Sequence, residues 1–499
     1  MSTSLNTRRP TEAETGATAP TAPKGLLPVV LTATFMTALD IFVVNVALPS
    51  LQGDLGAGPA AVQWVMAGFS LALAAGLVTA GRLGDRYGRR RVFGLGLALF
   101  TLASAACGLA PTAAALVGAR VAQGLSAALM GPQVLAILRT AFSGAAQARA
   151  FARYGLTMGV GAVFGQLIGG LLIRADLFGL GWRSCFLINL PIGLAALPLV
   201  RRSLPESRAP QRPGLDPVGV LLVTTALTGL VLPLIQGPQL HWPLWAGLCL
   251  GGSLALLAVF AVHQHRATTA TTAAATATTA TTPLVDTRLF RDRAFSAGLL
   301  AQLAFWLGQG SFFLVLALHL QFGRGLDALG AGLVFTAIGL GYLITSNTTH
   351  RVTARLGERR TIALGGLLMA LGLGLLALTA NSPGVRWLAP GLFVDGLGMG
   401  LVIAPVTSVV LAGVEPRLAG SAAGVVSTVQ QVGGALGIAL IGLVYYGAGD
   451  PAAAFGRSVL ALGVLELVLV GLVRFLPRGA HGAPGAAEAH RAHEAPREG

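Results

Sequence analysis

The sequence has 499 residues, of which 54% are hydrophobic and 11% are charged, and its mean hydropathy is +0.73. One soluble core could not bury so much apolar sequence, so the composition excludes an ordinary soluble protein and indicates many membrane crossings. The formal net charge of +15 would suggest nucleic-acid binding in a soluble protein. Here the positive residues lie mainly in short loops between apolar segments, which argues against a nucleic-acid partner.

Fourteen apolar segments follow one another along the chain. A helix that crosses a hydrocarbon layer of roughly 30 Å needs about 20 mostly apolar residues, and lipid favours helices because it offers backbone groups no water to bond. We therefore predict an all-α integral membrane protein whose transmembrane helices are called spans 1 to 14. The predicted spans are 26–48, 62–81, 92–110, 112–136, 153–173, 182–200, 217–236, 243–262, 296–318, 328–349, 361–380, 387–411, 421–443 and 454–476.

The arginines alternate between the loops. Most arginines lie in the loops that follow even-numbered spans. The loops on the other side of the membrane, together with the span ends next to those loops, hold fewer: Arg174, Arg183, Arg324, Arg386 and Arg457. Arginine-rich loops face the cytoplasm by the positive-inside rule, so we predict a multi-pass protein of the inner (cytoplasmic) membrane with both termini in the cytoplasm. The N-terminal residues lack the apolar core of a cleavable signal peptide, and span 1 is expected to act as the insertion signal.

The spans form two groups of six that are separated by an inserted pair. The Thr- and Ala-rich tract TTATTAAATATTATT after span 8 is typical of a flexible linker, and we expect both tails to be disordered. The predicted organisation is a cytoplasmic tail at 1–25, an N-terminal half at 26–200, a linker with inserted spans 7 and 8 at 201–262, a cytoplasmic loop at 263–293, a C-terminal half at 294–476 and a cytoplasmic tail at 477–499.

A short basic sequence occurs twice, as RYGRRR at 86–91 and RLGERR at 355–360. Both copies lie between the second and third spans of a half, which indicates duplication. Two six-helix halves related by an axis along the membrane normal, with a central site between them, form one large class of transporters.

Further motifs accompany this repeat. They are LDIFVVNVALP at 39–49, RVAQG at 120–124, GWRSCFLINLPIG at 181–193, LVDTRLF at 284–290, QQVGGALGIAL at 430–440, and the loop residues Gly81, Leu83, Asp85, Arg86, Gly88, Arg89 and Arg90. Together the motifs resemble the major facilitator superfamily, specifically its fourteen-span drug:proton antiporter group. The resemblance covers nearly all of residues 26 to 475 and implies the major facilitator fold, with two six-helix halves plus two inserted helices.

Two positions depart from the pattern of that group. Phe42 stands where the group usually has a hydroxyl residue, two places after the span-1 aspartate. Gln166 stands at the usual proline position of the span-5 antiport motif, in GAVFGQLIGG. The second departure leaves a symporter or a uniporter open as alternatives to an antiporter.

Four ionisable residues lie within predicted spans: Asp40, Arg120, Asp395 and Glu466. Ionisable groups in a bilayer interior cost several kcal/mol unless they are paired or hydrated, so we predict that these four couple protons to substrate. Asp40 and Arg120 lie at similar depth at about 1.5 Å per residue, which allows them to pair. A static ion pair is the alternative for these two, and a lipid-facing position is the alternative for Glu466.

Polar residues within the spans are predicted to line a translocation path, with interhelical hydrogen bonds as the alternative. They are Asn45, Gln123, Gln166, Asn189, Gln302, Gln309, Gln430 and Gln431. Glycines of span 5 are predicted to permit close helix packing and sliding between the halves. They are Gly161, Gly165, Gly169 and Gly170.

The basic loop after span 2 is predicted to form a cytoplasmic gating latch. In it, Asp85 would pair with a nearby arginine or lie at a helix N-terminus of the other half. Positive charge that serves topology alone is the alternative for these arginines.

The predicted function is export of hydrophobic or cationic small molecules, such as drugs, antibiotics and dyes, by proton antiport with alternating access. The direction of transport is implied by the resemblance. The alternative is a dedicated proton-coupled exporter, symporter or uniporter of one metabolite or natural product. An enzyme is not expected, because the sequence has no HExxH, no CxxC and no nucleotide-binding glycine loop after a strand. Lipids, protons and a small-molecule substrate are the expected partners of a monomer, with no cofactor or metal.

Overall fold

The computed structural model describes residue 23 and residues 25–209, 214–273, 283–415, 418–448 and 450–476. Within these ranges the regular structure is entirely helical. The predicted tails, apart from residues 23 and 25, and most of the Thr- and Ala-rich tract lie outside the described residues. The predictions for those segments therefore stay predictions.

Fourteen helices in the described ranges are long and apolar enough to cross a membrane, which confirms the predicted number of spans. Spans 1 to 14 are Leu26–Leu55, Pro59–Tyr87, Arg89–Gly108, Ala113–Ala141, Gly144–Ala175, Gly181–Ser203, Pro217–Gln236, Leu244–Ala270, Arg293–Gly323, Ala328–Leu356, Glu358–Thr379, Val385–Ala412, Ser421–Tyr446 and Ala453–Phe475. Most of them extend beyond the predicted bounds, because helical hydrogen bonding continues into polar residues that an apolar pattern does not mark. The face at which span 1 begins is called the basic face, and the other is called the opposite face.

The two halves repeat one packing scheme. In the N-terminal half, span 1 packs against span 5, and spans 2 and 3 both pack against span 4. In the C-terminal half, span 9 packs against span 13, and spans 10 and 11 both pack against span 12. These matching pairs agree with the duplication that the repeated basic sequence indicates.

The halves meet along two pairs of spans, 2 with 13 and 5 with 10. The inserted spans 7 and 8 pack against each other, and span 7 also contacts spans 2 and 13. The inserted pair therefore lies beside one of the two seams between the halves.

Asp216 connects the beginning of span 7 to the end of span 8. Its carboxylate accepts hydrogen bonds from the Gly219 N–H at 2.8 Å and the Gln264 amide at 2.7 Å, and it lies 3.0 Å from His263 Nε2. Burial acts to raise the pKa of Asp216, but the bonds from Gln264, His263 and Gly219 outweigh it and hold that pKa below its ordinary value. The two inserted helices are thus fixed to each other at the basic face.

The span-5 glycines face two different neighbours. A Cβ atom on Gly161, Gly165 or Gly169 would come within 2.6 to 3.0 Å of a span-1 side chain in the same half. A Cβ atom on Gly170 would lie 2.8 Å from the Cα atom of Leu329 in span 10. Close packing is therefore present at all four positions, but only Gly170 among them contacts the other half, so the prediction of sliding between the halves narrows to that residue.

Candidate functional site

A charged pair is buried in the middle of the N-terminal half. Asp40 of span 1 is 0% exposed and Arg120 of span 4 is 1% exposed. Arg120 Nη1 donates a hydrogen bond to Asp40 Oδ2 at 2.5 Å. The sequence predicted that these residues could pair, and the structure brings them together.

Three neutral side chains complete a hydrogen-bond network around this carboxylate. Gln123 Nε2 donates to Asp40 Oδ1 at 2.7 Å and to Ser104 Oγ at 2.7 Å. Asn189 Nδ2 donates to the same two atoms at 3.2 and 3.3 Å, and Arg120 Nη1 also donates to Gln123 Oε1 at 2.6 Å. The network joins spans 1, 3, 4 and 6, and its donors can stabilise a negative charge on the carboxylate.

The guanidinium of Arg120 is held from two other sides. Its Nε donates to the Val65 carbonyl oxygen of span 2 at 3.0 Å. Its Cζ lies 4.2 Å from the ring centre of Phe69 and 5.7 Å from that of Phe186, within cation–π distance. Span 2 thereby joins the network, so a change in the charge of this pair would act on five spans of the half at once.

A narrow central cavity lies between the halves. It is lined by residues of spans 1, 5, 9, 10 and 12, including Phe42, Gln166, Phe313, Phe335 and Tyr342. Its volume of about 20 Å³ is enough for a water molecule but not for a drug-sized ligand. Both residues that depart from the family pattern therefore line the cavity, whereas the Asp40–Arg120 pair lies within the N-terminal half and is not part of its wall.

Two acidic residues are buried in the C-terminal half without an ion pair among the described residues. Asp395 of span 12 and Glu466 of span 14 are each 1% exposed. One oxygen of each carboxyl group, Asp395 Oδ2 and Glu466 Oε2, has no hydrogen-bond partner in the part of the chain that the structure describes. Glu466 Oε1 lies 2.9 Å from where a Cβ atom on Gly308 of span 9 would be. The lipid-facing alternative for Glu466 is therefore wrong, because span 14 turns this side chain toward the interior of the half.

Other predicted path residues form a separate polar cluster in the C-terminal half. Gln302 Nε2 donates to Thr407 Oγ1 at 2.8 Å, and Gln302 Oε1 accepts from Trp306 Nε1 at 2.9 Å and from Gln430 Nε2 at 3.5 Å. Gln431 in the next position is half-buried. These contacts join spans 9, 12 and 13, as the interhelical alternative expects.

Four predicted path residues keep buried polar atoms without hydrogen-bond partners in the described part of the chain. These atoms are Asn45 Oδ1, Gln166 Nε2, Asn189 Oδ1 and Gln309 Oε1. The amide nitrogen of Asn45 donates to carbonyls of its own helix, at Ile41 and Phe42. Of the four residues, Gln166 lines the central cavity.

The loop motif after span 2 is fixed to the segment that follows span 6. Asp85 Oδ1 accepts from Arg89 Nη2 at 2.8 Å, which is the predicted pairing with a nearby arginine. The Arg89 backbone N–H donates to Ser207 O at 2.9 Å, and the Ala209 N–H donates to Asp85 O at 3.2 Å.

Glu206, which the sequence did not mark, is the anion at the centre of this contact. It accepts a hydrogen bond from the backbone N–H of Arg90 at 3.1 Å and lies 3.7 and 3.6 Å from the side chains of Arg90 and Arg91. Gly88 has a φ of 112°, a left-handed value that favours glycine, where the chain turns into span 3. The turn and the acidic partner together hold the basic loop in place.

The remaining motif residues have less specific surroundings. A Cβ atom on Gly81 would be 3.7 Å from Pro132 Cβ of span 4, which is ordinary contact. Leu83 is half-buried and Arg86 is exposed, with its guanidinium 5.5 Å from the ring centre of Tyr87. Their positions fit a short loop at the basic face.

The halves are closed against each other at the opposite face. Arg174 at the end of span 5 lies 4.0 Å from Asp327 at the beginning of span 10. Gln321 Nε2 at the end of span 9 donates to the Val46 carbonyl of span 1 at 3.0 Å. Together with the close approach at Gly170, these contacts bring spans 1, 5, 9 and 10 together at the opposite face.

Several known proteins are similar to this chain. A family model described as Major Facilitator Superfamily matches residues 30–438. The "Probable actinorhodin transporter" of Streptomyces coelicolor is 40% identical over 425 residues, which are 84% of this chain and 72% of that protein. "Multidrug resistance protein Stp" of Mycobacterium tuberculosis is 33% identical over 412 residues, 82% of this chain and 73% of that protein.

A likeness to solved structures extends to the fold. A crystal structure of a POT family transporter, in complex with a thioalcohol conjugated peptide, has a TM-score of 0.65 and 16% sequence identity. The match covers 90% of this chain and 95% of that chain. At this low identity the likeness concerns the helical architecture, including both halves that surround the central cavity.

Proposed function

The chain belongs to the major facilitator superfamily, and from this premise we propose that it exports hydrophobic or cationic small molecules in exchange for protons. Its helices give it the form of a multi-pass membrane protein. One relative is named as a probable actinorhodin transporter and another as a multidrug resistance protein. The proposed cycle exposes one central site alternately to each face. With the basic face in the cytoplasm, the site would collect substrate inside and release it outside.

The observation that carries this proposal is the buried network around Asp40. A carboxylate that is removed from water but surrounded by donors responds to small changes in its neighbours, because burial and the adjacent cation act on it in opposite directions. Protonation of Asp40 would release Arg120 and Gln123 from it. Since the network joins five spans, proton binding would change the packing of the whole half.

Energy for export would come from the membrane potential and the pH gradient. Each proton that enters down a potential of 100 mV supplies about 2.3 kcal/mol. This free energy supports a substrate gradient of roughly 50-fold, since about 1.4 kcal/mol corresponds to a factor of ten. One proton per substrate would therefore be sufficient for efflux of a neutral compound. Exchange of one proton for one monovalent cation moves no net charge, so the pH gradient alone would drive the efflux of such a cation.

The carboxyl groups of Asp395 and Glu466 are proposed as a second proton-carrying site. A buried carboxyl group without a cation avoids most of its burial cost only as the neutral acid. Asp395 and Glu466 lie on spans 12 and 14 of the C-terminal half, whereas Asp40 and Arg120 lie on spans 1 and 4 of the N-terminal half. Protons would therefore act on each half at its own site.

The lining of the central cavity supports aromatic, apolar substrates. Phe42 and Phe313 contact each other edge to face across the halves at 5.4 Å between ring centres, and Phe313 stacks with Phe335 at 6.0 Å. A substrate that enters as the halves separate would replace these contacts with its own rings. The aromatic contacts would then select the substrate and help to close the path behind it.

Replacing Phe42 with serine is expected to weaken the binding of aromatic substrates by about 5- to 10-fold, because an aromatic pair contributes roughly 1 kcal/mol beyond its buried area. The apparent KM for uptake of each compound, measured across a panel of aromatic and non-aromatic compounds, checks this expectation. Phe164→Ser is the matched control, since Phe164 is 41% exposed on the same half and does not line the cavity. Equal effects of the two substitutions would contradict the role of the cavity.

Replacing Gly170 with alanine is expected to shift the protein toward a form that is open at the opposite face. The new methyl group would collide with the backbone of span 10 in the closed form seen here, and overpacking of this kind costs about 1–3 kcal/mol, or roughly 5- to 150-fold in population. The rate at which a maleimide labels Val46→Cys, in a chain whose own three cysteines are replaced, measures the opening.

Gly118→Ala is the matched control for this substitution, because a Cβ atom on Gly118 meets no neighbour within 4 Å. Faster labelling in Gly170→Ala but not in Gly118→Ala is the expected pattern. Equal labelling rates in all three proteins would show that the contact at Gly170 does not hold the face closed.

A second candidate function is dedicated export of one natural product. The relative named as an actinorhodin transporter, at 40% identity, favours this alternative. Both candidates are tested by uptake into liposomes that contain the purified protein, driven by an imposed pH gradient, for a panel of dyes and antibiotics. Uptake of many compounds supports broad efflux, and uptake of one chemical type supports a dedicated exporter. No gradient-driven uptake of any compound would contradict proton antiport.

A further inference from the structure

A larger cavity lies away from the central path, where spans 2, 7 and 13 meet near the opposite face. Its volume is about 330 Å³, within the range of small-molecule sites, which is about 300–1,000 Å³. The central cavity, by comparison, holds about 20 Å³. The inserted span 7 forms one wall of this larger cavity, which is called the seam cavity.

Two polar atoms in the wall of the seam cavity have no hydrogen-bond partner among the residues that the structure describes. Gln63 is 4% exposed, lines the cavity, and its Oε1 atom is unpaired. The hydroxyl group of Tyr446, from the end of span 13, is also buried and unpaired. Buried polar groups in proteins are almost always paired, so each unpaired group needs an explanation. A bound molecule that offers a donor to Gln63 and an acceptor to Tyr446 would satisfy both.

The rest of the wall is uncharged. Leu234 and Ile235 of span 7 contribute apolar surface, and Gln239 contributes an amide at the rim. Among the described residues, no ionisable acid or base other than the Tyr446 phenol lines the cavity. A charged ligand would lose its hydration here without gaining an opposite charge, so the wall favours a neutral molecule.

A glycine on span 13 gives Gln63 its position. A Cβ atom on Gly442 would lie 2.6 Å from Gln63 Oε1, closer than real Cβ atoms approach an oxygen. Any larger residue at 442 would push the amide out of its place. The seam cavity and its acceptor atom therefore both depend on the absence of a side chain at this position.

We propose that the seam cavity binds an uncharged amphipathic molecule that carries a hydroxyl group, with this hydroxyl on Gln63 Oε1 and the apolar part against span 7. Such a molecule can be a neutral membrane lipid or a hydroxylated aromatic compound in transit. The site gives the inserted pair of spans a ligand-binding role that is separate from proton coupling.

The test uses the full chain in phosphatidylcholine nanodiscs and two radiolabelled probes, 1-oleoylglycerol for the lipid source and estradiol for the aromatic source. Equilibrium dialysis gives the Kd of each probe. Gln63→Leu and Gly442→Ala are each expected to raise the Kd of the bound probe by about 5- to 10-fold, the loss typical of one neutral hydrogen bond. Gly434→Ala on the same span is the control, since its Cβ atom would meet nothing within 4 Å, and it is expected to leave the Kd unchanged.

The probe that shows this pattern identifies the source of the ligand. Equal binding of both probes to all four proteins, or no binding to the unaltered chain, would overturn the proposal. Thermal unfolding shows whether each variant is folded. If Gln63→Leu does not fold, the Kd of Gly442→Ala still tests the proposal. Gradient-driven uptake is measured on the same proteins, so loss of the seam site is distinguished from failure of proton antiport.

Discussion

Replacing Asp40 with asparagine is expected to abolish gradient-driven accumulation of substrate, which for a neutral substrate falls from roughly 50-fold per proton at 100 mV to no accumulation. Asparagine has nearly the same size as aspartate and can still bond to Gln123 and Asn189, but it cannot take up or release a proton. Exchange of labelled for unlabelled substrate across the membrane, which needs no net proton movement, is expected to continue. Both rates are measured in liposomes that contain the purified protein.

Asp450→Asn is the matched control for this prediction. Asp450 caps the last span at the opposite face by accepting the Ala453 N–H, and asparagine caps helices equally well. It is expected to accumulate substrate like the unaltered chain. If Asp40→Asn accumulates substrate as well as Asp450→Asn does, Asp40 is not the coupling residue.

Replacing Arg120 with methionine is expected to destabilise the protein by about 3–5 kcal/mol, because it leaves the buried Asp40 carboxylate without its cation. Replacing both partners, as Asp40→Leu with Arg120→Met, is expected to recover most of this loss, since neither charge then remains buried. The free energy of unfolding in detergent, measured for the two single variants and the double variant, gives the coupling between the residues.

Transport by the double variant separates stability from function. It is expected to fold but to show no gradient-driven accumulation, because the carboxyl group is absent. A double variant that is destabilised by the sum of the two single effects would contradict the pairing. A folded double variant that still accumulates substrate against its gradient would show that the pair is a static structural contact.

The sequence predicted the spans well because each one must supply about 20 apolar residues in a row. It predicted their ends less well. Span 5, for example, begins at Gly144 and not near 153, since the polar residues that precede the apolar run still form helical hydrogen bonds. The close approach at Gly170 needed the structure, because glycine spacing gives a packing face but not the helix that packs on it.

The central pair could be predicted from charge and depth alone, because few other ionisable residues occur in the apolar runs. Its surroundings could not. Ser104 is one small polar residue among many, and the Val65 carbonyl that accepts from Arg120 has no signal in the sequence. In the sequence, Phe69 and Phe186 do not differ from other apolar residues of the spans. Only the fold shows that their rings lie beside the Arg120 guanidinium.

The sequence also could not predict whether the Glu466 side chain faces lipid or the interior of the half. Span 14 is apolar on all sides, so no amphipathic pattern fixes which face turns inward. The structure buries the side chain beside Gly308, where a larger residue in span 9 would occupy its space. Glu206 escaped notice for a related reason, since an acidic residue in a basic loop is common and its partners are known only from the fold.

The proposal that Asp40 couples protons to substrate is tested most directly by reversing the energy flow. A substrate gradient is imposed across liposomes without a pH gradient, and the internal pH is followed with a trapped indicator dye. Coupling through Asp40 predicts that substrate leaving the liposomes brings protons in with the unaltered chain, and that Asp40→Asn moves substrate without protons. Equal proton movement by both proteins, or substrate flux without protons in the unaltered chain, would contradict it.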